Sequence, residues 1–154
     1  MGEYSIVPWI ATFFVITFSG WLADTLIARG LSVGAVRKSM QTAAFTIGAI
    51  SLMVVPASSS PAMAVALLTV AATSNGIGSA AFGVNHLDVA PTYGGILMGI
   101  SNTFATLPGI IGVAATGFIV QATGSYSDVF YLAAAVYLVG LVAFAVLGSG
   151  ERKI

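Results

Sequence analysis

Four charged side chains near the start of the chain have the right types to form ion pairs. Asp24 is followed by three basic residues, Arg29, Arg37 and Lys38. A carboxylate and a cation stabilise a structure little when water surrounds them and more when the pair is occluded. The pattern predicts a gate, that is, a contact between helix ends that forms and breaks. A solvated helix end is the alternative interpretation of Asp24.

The single histidine of the chain, His86, lies two residues before another carboxylate, Asp88. Such a pair could act as a general base or as two metal ligands. A metal site needs further ligands, however, and the chain has no other histidine and no cysteine. We therefore expect no metal, no cofactor and no enzymatic activity. His86 is predicted to couple protonation to movement, and Asp88 to contribute a gate contact.

Five uncharged polar side chains lie inside long apolar stretches, where they could line a substrate cavity. An amide or hydroxyl in such a surrounding costs free energy unless it is hydrogen-bonded or faces water. Pro108 also frees a backbone carbonyl one turn before it. For Asn102, a cavity lining and a hydrogen bond between helices remain open as alternatives. For the polar segment around Thr73 and Asn75, the alternatives are a helix that bends and plain close packing. The five candidates are Thr73, Asn75, Asn102, Thr103 and Thr106.

The composition indicates that these residues are surrounded by a lipid bilayer. Hydrophobic residues make up 58% of the 154, whereas charged residues make up only 6%. A soluble domain has about a quarter of its residues charged, because polar groups must cover its surface. The formal net charge is zero, which argues against nucleic acid as a partner. The chain is predicted to be an all-α membrane protein.

Five stretches are long and apolar enough to cross the bilayer, which requires about 20 residues. The connections between them contain five of the ten charged residues and three of the five prolines. The second stretch is the shortest. The predicted spans are residues 5–26, 40–55, 62–84, 93–121 and 129–147, and the predicted connections are residues 29–38, 56–61, 85–91 and 122–128.

The basic residues predict how the five spans are oriented. Arg29, Arg37 and Lys38 fall between the first and second spans, and Arg152 and Lys153 follow the fifth. The connections that face the other side contain no lysine or arginine. Because basic residues concentrate on the cytoplasmic or equivalent side, both groups are predicted to lie there.

The fourth span has two distinct faces. One face is small and polar and the other is bulky, a pattern that favours protein contact on the first and lipid contact on the second. Helix packing alone explains most of this pattern. The small face contains Gly95, Gly99, Asn102, Thr106, Gly109, Val113 and Thr116, and the bulky face contains Ile96, Ile100, Phe104, Leu107, Ile111 and Phe118.

Two segments resemble a known transporter family. Gly20-Trp-Leu-Ala-Asp24-Thr-Leu-Ile-Ala-Arg29 is similar to the second-half copy of the major facilitator loop signature. The segment from Asn85-His-Leu-Asp-Val-Ala-Pro to Gly109 resembles the region of helices ten and eleven in the anion:cation symporters, which include vesicular glutamate transporters, sialin, sodium-phosphate cotransporters and plant plastid anion transporters.

The resemblance implies that residues 1–154 form part of the C-terminal half of a major facilitator fold, helices eight to twelve of twelve. The implied function is secondary active transport of an anion, with phosphate expected first, by alternating access between two halves. The implied partners are the anion, a sodium ion or proton as coupling ion, and the missing N-terminal half. The closest likeness is to the plant plastid and algal branch, which suggests a plastid membrane.

Two departures from the family limit this interpretation. No Arg or Lys lies inside any predicted span, so the charge that holds an anion is expected in the missing part. Thr92 stands where many relatives carry a basic residue. Two alternatives stay open, a non-transporting membrane partner that docks through its glycine-rich faces and, ranked last, an intramembrane enzyme that uses His86 and Asp88.

Overall fold

The computed structural model describes residues 3–150, with side chains from Pro8 onwards. This part of the chain is almost entirely helical and contains no strand, so the all-α prediction is confirmed. Two single-turn 3-10 helices, Val55–Ala57 and Pro91–Tyr93, lie between longer elements. The α-helices are α1 (Glu3–Ala28), α2 (Val33–Val54), α3 (Pro61–Ser79), α4 (Phe82–Val89), α5 (Gly94–Thr123) and α6 (Ser127–Leu147).

The prediction of five membrane spans is also confirmed. Five helical segments of the described chain are long and apolar enough to cross a bilayer, and α3 and α4 together form one of them. The chain is therefore a multi-pass membrane protein. The five segments are Pro8–Ala28, Val33–Ala57, Pro61–Val89, Pro91–Thr123 and Ser127–Leu147.

The connection between α1 and α2 is much shorter than the predicted residues 29–38. Gly30 adopts a φ of 97°, a left-handed conformation that ends α1, and the next helix begins only three residues later. Ser32 caps α2 by accepting a hydrogen bond from the Ala35 N–H at 3.3 Å. Arg37 and Lys38 therefore lie on the first turns of α2, and the prediction that no basic residue lies inside a span was wrong.

The third connection was also placed wrongly. Most of residues 85–91 is helical, because α4 runs from Phe82 to Val89, and the helix breaks earlier, at Ala80 and Ala81. The break follows a segment that is rich in glycine and serine, which stabilise a helix poorly. His86 and Asp88, which were expected in a turn, therefore project from the short helix α4.

The core of the described chain forms around α2. This helix packs against both α3 and α6, and α1 packs against α3. One buried cluster joins Ala23, Val36 and Met40 to the α3–α4 break. A second cluster joins Leu52 of α2 to Ala71 of α3 and Ala134 of α6.

α5 differs from the other spans because it is almost unpacked. Within residues 3–150 it contacts α4, α6 and the 3-10 turn before it, but not α1, α2 or α3. Gly94 is its one buried residue, and Val113 is 77% exposed. The helix continues unbroken through Pro108. Its exposed surface must meet lipid or protein outside the described chain.

Candidate functional site

An ion pair joins α2 to α4. Arg37 Nε donates to Asp88 Oδ2 at 2.8 Å, and Arg37 Nη2 donates to Asp88 Oδ1 at 3.3 Å. The guanidinium thus meets the carboxylate through two parallel hydrogen bonds, the geometry in which such a pair is strongest. Arg37 is 8% exposed and the Asp88 side chain is 19% exposed, so the ion pair is largely occluded.

Arg37 also stabilises the break between α3 and α4. Its Nη1 donates to the carbonyl oxygen of Ala80 at 2.7 Å. A carbonyl at a helix end has lost its intrahelical donor and needs another partner. One buried side chain therefore holds three elements together, namely α2, the end of α3 and α4.

Two further hydrogen bonds tie the end of α6 to the same region. Lys38 Nζ donates to the carbonyl oxygen of Ala145 in the last turn of α6 at 2.8 Å. Asn85 Nδ2 donates to the carbonyl oxygen of Ser149 at 2.7 Å. The ends of α2, α4 and α6 thus form one polar cluster, which we call the basic end of the bundle.

Asp24 and Arg29, the other two gate candidates, lie on this side of the molecule but outside the cluster. Both are exposed, and the one ion pair within residues 8–150 is that between Arg37 and Asp88. The structure thus brings together Arg37 and Asp88 from the predicted gate, while Asp24 and Arg29 remain open to further contacts.

His86 links α4 to α5. Its Nε2 lies 3.0 Å from Ser101 Oγ, and the same hydroxyl lies 3.1 Å from the carbonyl oxygen of Met98. If the hydroxyl donates to the carbonyl, His86 Nε2 carries the proton and donates to Ser101. His86 Nδ1 is buried and has no hydrogen-bond partner among the described residues. That nitrogen is then an unprotonated acceptor, which is less costly to bury than an unpaired N–H.

Asn102 lines a small cavity of about 230 Å³ between α4, α5 and α6, together with His86, Asn85 and Ser101. Thr103 and Thr106 are exposed, and each hydroxyl bonds to a carbonyl of its own helix, Gly99 at 2.9 Å and Thr103 at 2.7 Å. Of the three candidates on α5, Asn102 thus lines this cavity, whereas the hydroxyls of Thr103 and Thr106 bond within their own helix. The described residues also contain no group of three acidic, histidine or cysteine side chains that could hold a metal.

The two candidates on α3 have different surroundings. Thr73 bonds to the Thr69 carbonyl of its own helix at 2.9 Å. Asn75 Nδ2 donates to Tyr137 Oη on α6 at 3.0 Å, and Asn75 also lines a second and larger cavity of about 570 Å³. Asn75 thus forms a hydrogen bond between α3 and α6.

Sequence reasoning missed Gln41, Asn85, Ser101 and Tyr137. Gln41 lies on α2 and is 3% exposed. The rule that selected Asn102, an amide inside an apolar span, applies equally to Gln41. Asn85, Ser101 and Tyr137 could not be selected in that way, because their roles depend on which helices become neighbours.

Comparison with known proteins identifies the family. The chain is 40% identical over 153 residues to "Probable anion transporter 1, chloroplastic" of Oryza sativa subsp. japonica. It is 39% identical over 151 residues to "Ascorbate transporter, chloroplastic" and 40% identical over 153 residues to "Sodium-dependent phosphate transport protein 1, chloroplastic", both of Arabidopsis thaliana. These alignments cover 98–99% of the chain. The chain belongs to this family of anion transporters.

The family assignment confirms the resemblance, and it also shows that the relatives are much longer. The chain spans 29%, 28% and 30% of these three relatives. No protein-family model matches the chain. The segment from Asn85 to Gly109, which carried the family resemblance, forms the last five residues of α4, the 3-10 turn and the first half of α5.

Proposed function

We propose that this chain is part of a secondary active transporter that moves small anions, phosphate first, across a membrane by alternating access. The observation that carries the proposal is the 40% identity, over 99% of the chain, to a relative named as a sodium-dependent phosphate transport protein. The coupling ion is sodium or a proton. A plastid membrane is the proposed location, because all three relatives above are named as chloroplastic.

The anion is held by a positive charge outside this chain. The two basic residues inside described spans, Arg37 and Lys38, are already engaged, by Asp88 and by the Ala145 carbonyl. Both lie at the basic end rather than at the middle of a span, where transporters of this kind bind their substrates. Asn102, Thr103, Thr106, Thr73 and Asn75 could then supply only neutral hydrogen bonds to the substrate.

Arg37 and Asp88 are proposed to hold the basic end in one conformation. Their two hydrogen bonds keep α2 and α4 together, and separating them would leave a buried cation without a partner, which is costly. The exposed carboxylate of Asp24 and the exposed guanidinium of Arg29 are available on the same side to meet the remainder of the transporter. His86 is proposed as the residue that couples protonation to movement, because it links α4 to α5 and its buried Nδ1 has no hydrogen-bond partner among the described residues.

The proposal is tested with a chimera in which the matched 153 residues of the Arabidopsis phosphate transport protein are replaced by this chain. In proteoliposomes, we expect uptake of radiolabelled phosphate that depends on a sodium or proton gradient. Uptake of ascorbate and glutamate is measured in parallel. Preference for one of these anions would overturn phosphate as the substrate. A well-folded chimera that moves none of the three anions would overturn the transport role.

A non-transporting membrane partner is the second candidate, because the glycine face of α5 is open. Gly95, Gly99 and Gly109 have no atom within 4 Å of the position that a Cβ would occupy. Such a face permits close approach of another helix. Under this alternative, co-expression of the chain with an intact relative changes the uptake of that relative, whereas a transporter fragment leaves it unchanged.

A further inference from the structure

After α6 ends at Leu147, the chain continues as a short non-helical segment, Gly148–Gly150, which we call the strap. Gly148 adopts a ψ of 135°, so the backbone leaves the helix in an extended conformation. The Gly148 N–H donates to the carbonyl oxygen of Phe144 at 2.8 Å. This hydrogen bond fixes the start of the strap against the last turn of α6.

The strap contacts α4 through a hydrogen bond and α2 through its backbone. The Ser149 carbonyl oxygen accepts from Asn85 Nδ2 on α4 at 2.7 Å. Gly150 lies against Gly34 in the first turn of α2, where an added Cβ would come within 3.3 Å of the Gly150 nitrogen. A Cβ on Gly150 would in turn clash with the Gly34 backbone. Glycine at both positions therefore permits two backbones to touch.

Both strap contacts lie one helical turn from the ion pair of the basic end. Gly34 precedes Arg37 by three residues on α2, and Asn85 precedes Asp88 by three residues on α4. Residues that are three apart lie on the same face of a helix. The strap and the ion pair therefore link the same two helices side by side, and α4 cannot move away from α2 without breaking both links.

The two links differ in how easily they separate. Separation of the ion pair leaves a buried cation without a partner, which is costly. The strap has the sequence Gly-Ser-Gly and carries no apolar side chain, so its release removes no hydrophobic stabilisation. A cavity of about 440 Å³, lined by residues 32–35 and Lys38, lies between the strap and α2. The strap thus touches α2 at one point and can detach from it.

We infer that the strap is a latch, that is, a contact that holds α4 against α2 and must separate before the basic end can open. This inference rests on the proposed function, in which the basic end opens during alternating access. An apolar cluster that includes Val36 and Ala81, which are 1% and 0% exposed, joins α2 to the α3–α4 break, and Phe144 packs against it. Opening of the basic end would bring water to this cluster.

The test measures how fast a buried thiol becomes accessible. It uses the chimera described above with its other cysteines removed, since this chain contributes none. Val36→Cys places a single thiol in the buried cluster. Its rate of reaction with a water-soluble maleimide is measured in detergent and normalised to the reaction of the unfolded protein. Ala81→Cys provides a second reporter in the same cluster, so that the measurement does not depend on one substitution.

Two variants release the strap from opposite sides. Gly34→Leu places a side chain where Gly150 lies, and Asn85→Leu removes the donor to the Ser149 carbonyl. We expect each variant to raise the labelling rate about fivefold, in line with the loss of one hydrogen bond or of a contact of similar strength. Thr42→Leu adds the same side chain at an exposed position about two turns further along α2. This matched control should leave the rate unchanged.

The thermal unfolding midpoint separates a latch from a contact that only supports the fold. We expect the midpoint of Gly34→Leu and Asn85→Leu to stay unchanged while labelling accelerates. Unchanged labelling in both variants would overturn the latch, and so would faster labelling that only follows a lower unfolding midpoint.

Phosphate uptake by the same variants separates this inference from the proposed function. Faster labelling in a chimera that moves no anion would overturn the transport role and leave the latch in place. Uptake by a chimera whose labelling rate does not respond to Gly34→Leu or Asn85→Leu would overturn the latch alone.

Discussion

α2 and α5 are both long apolar helices, yet one forms the core of the described chain and the other is nearly bare. Nine residues of α2 are buried, compared with Gly94 alone in α5. α2 also carries Arg37 and Gln41, two buried polar side chains. Apolar composition therefore identifies a membrane span but does not identify its neighbours, because lipid and protein are equally apolar surroundings.

The same contrast appears in the way glycines are used. An added Cβ at Gly48 on α2 would clash with the Tyr137 ring and come within 2.9 Å of Ser74 Oγ. An added Cβ at Gly99 on α5 would meet nothing within 4 Å. The first glycine permits packing inside this chain. The second is free to permit packing against a helix that lies outside it.

The largest effect is expected from breaking the ion pair at the basic end. Asp88→Leu leaves Arg37 buried without its carboxylate, and we expect the loss of about 3–5 kcal/mol of stability. The measurement is the thermal unfolding midpoint of the purified membrane protein in detergent. Asp24→Asn, at an exposed position, is the control and should change stability by less than about 0.5 kcal/mol.

A double variant that removes both partners of the pair tests whether the unpaired charge causes the loss of stability. Arg37→Leu combined with Asp88→Leu eliminates the buried charge, so most of the lost stability should return. A small residual loss is expected, because the Ala80 carbonyl would lose its donor. If the double variant were as unstable as Asp88→Leu, the damage would come from lost packing rather than from an unpaired cation.

A core glycine should be much less tolerant of substitution than a glycine of α5. Gly48→Ala forces the Tyr137 ring to move and should cost about 1–3 kcal/mol. Gly99→Ala adds a methyl group in open space and should leave the stability of this chain unchanged or slightly higher, since alanine favours helix. Both are measured by thermal unfolding. Equal losses would contradict the contrast between the two helices.

The hydrogen bond between Asn75 and Tyr137 should contribute less to stability. Tyr137→Phe removes the hydroxyl that Asn75 donates to and should cost about 0.5–1.5 kcal/mol. Tyr131→Phe, on the same helix and 49% exposed, is the matched control with no expected change. If both variants unfold at the same temperature, Asn75 does not join α3 to α6 in the membrane.

The features that depend on one element were predictable from the sequence, whereas the contacts between elements were not. Apolar length predicts five spans, and basic residues such as Lys38 mark one end. The start of α2 was predicted too late, because Arg37 and Lys38 were assigned to the connection although Ser32 before them caps the helix. The partner of Arg37 was missed because Asp88 is 51 residues away and becomes a neighbour only when α4 folds back against α2.

The smallest effect on stability is expected from Asn102→Ala. This variant also tests the role of Asn102 in transport. Asn102 is exposed and lines the small cavity beside His86, so its removal should leave the unfolding midpoint of the chain unchanged. In the chimera, the same change should lower anion uptake without lowering membrane abundance, because a neutral hydrogen bond to the anion or its water shell is lost. Thr123→Val, at an exposed position near the far end of α5, is the control. Unchanged uptake would remove Asn102 from the cavity and leave α5 with a packing role alone.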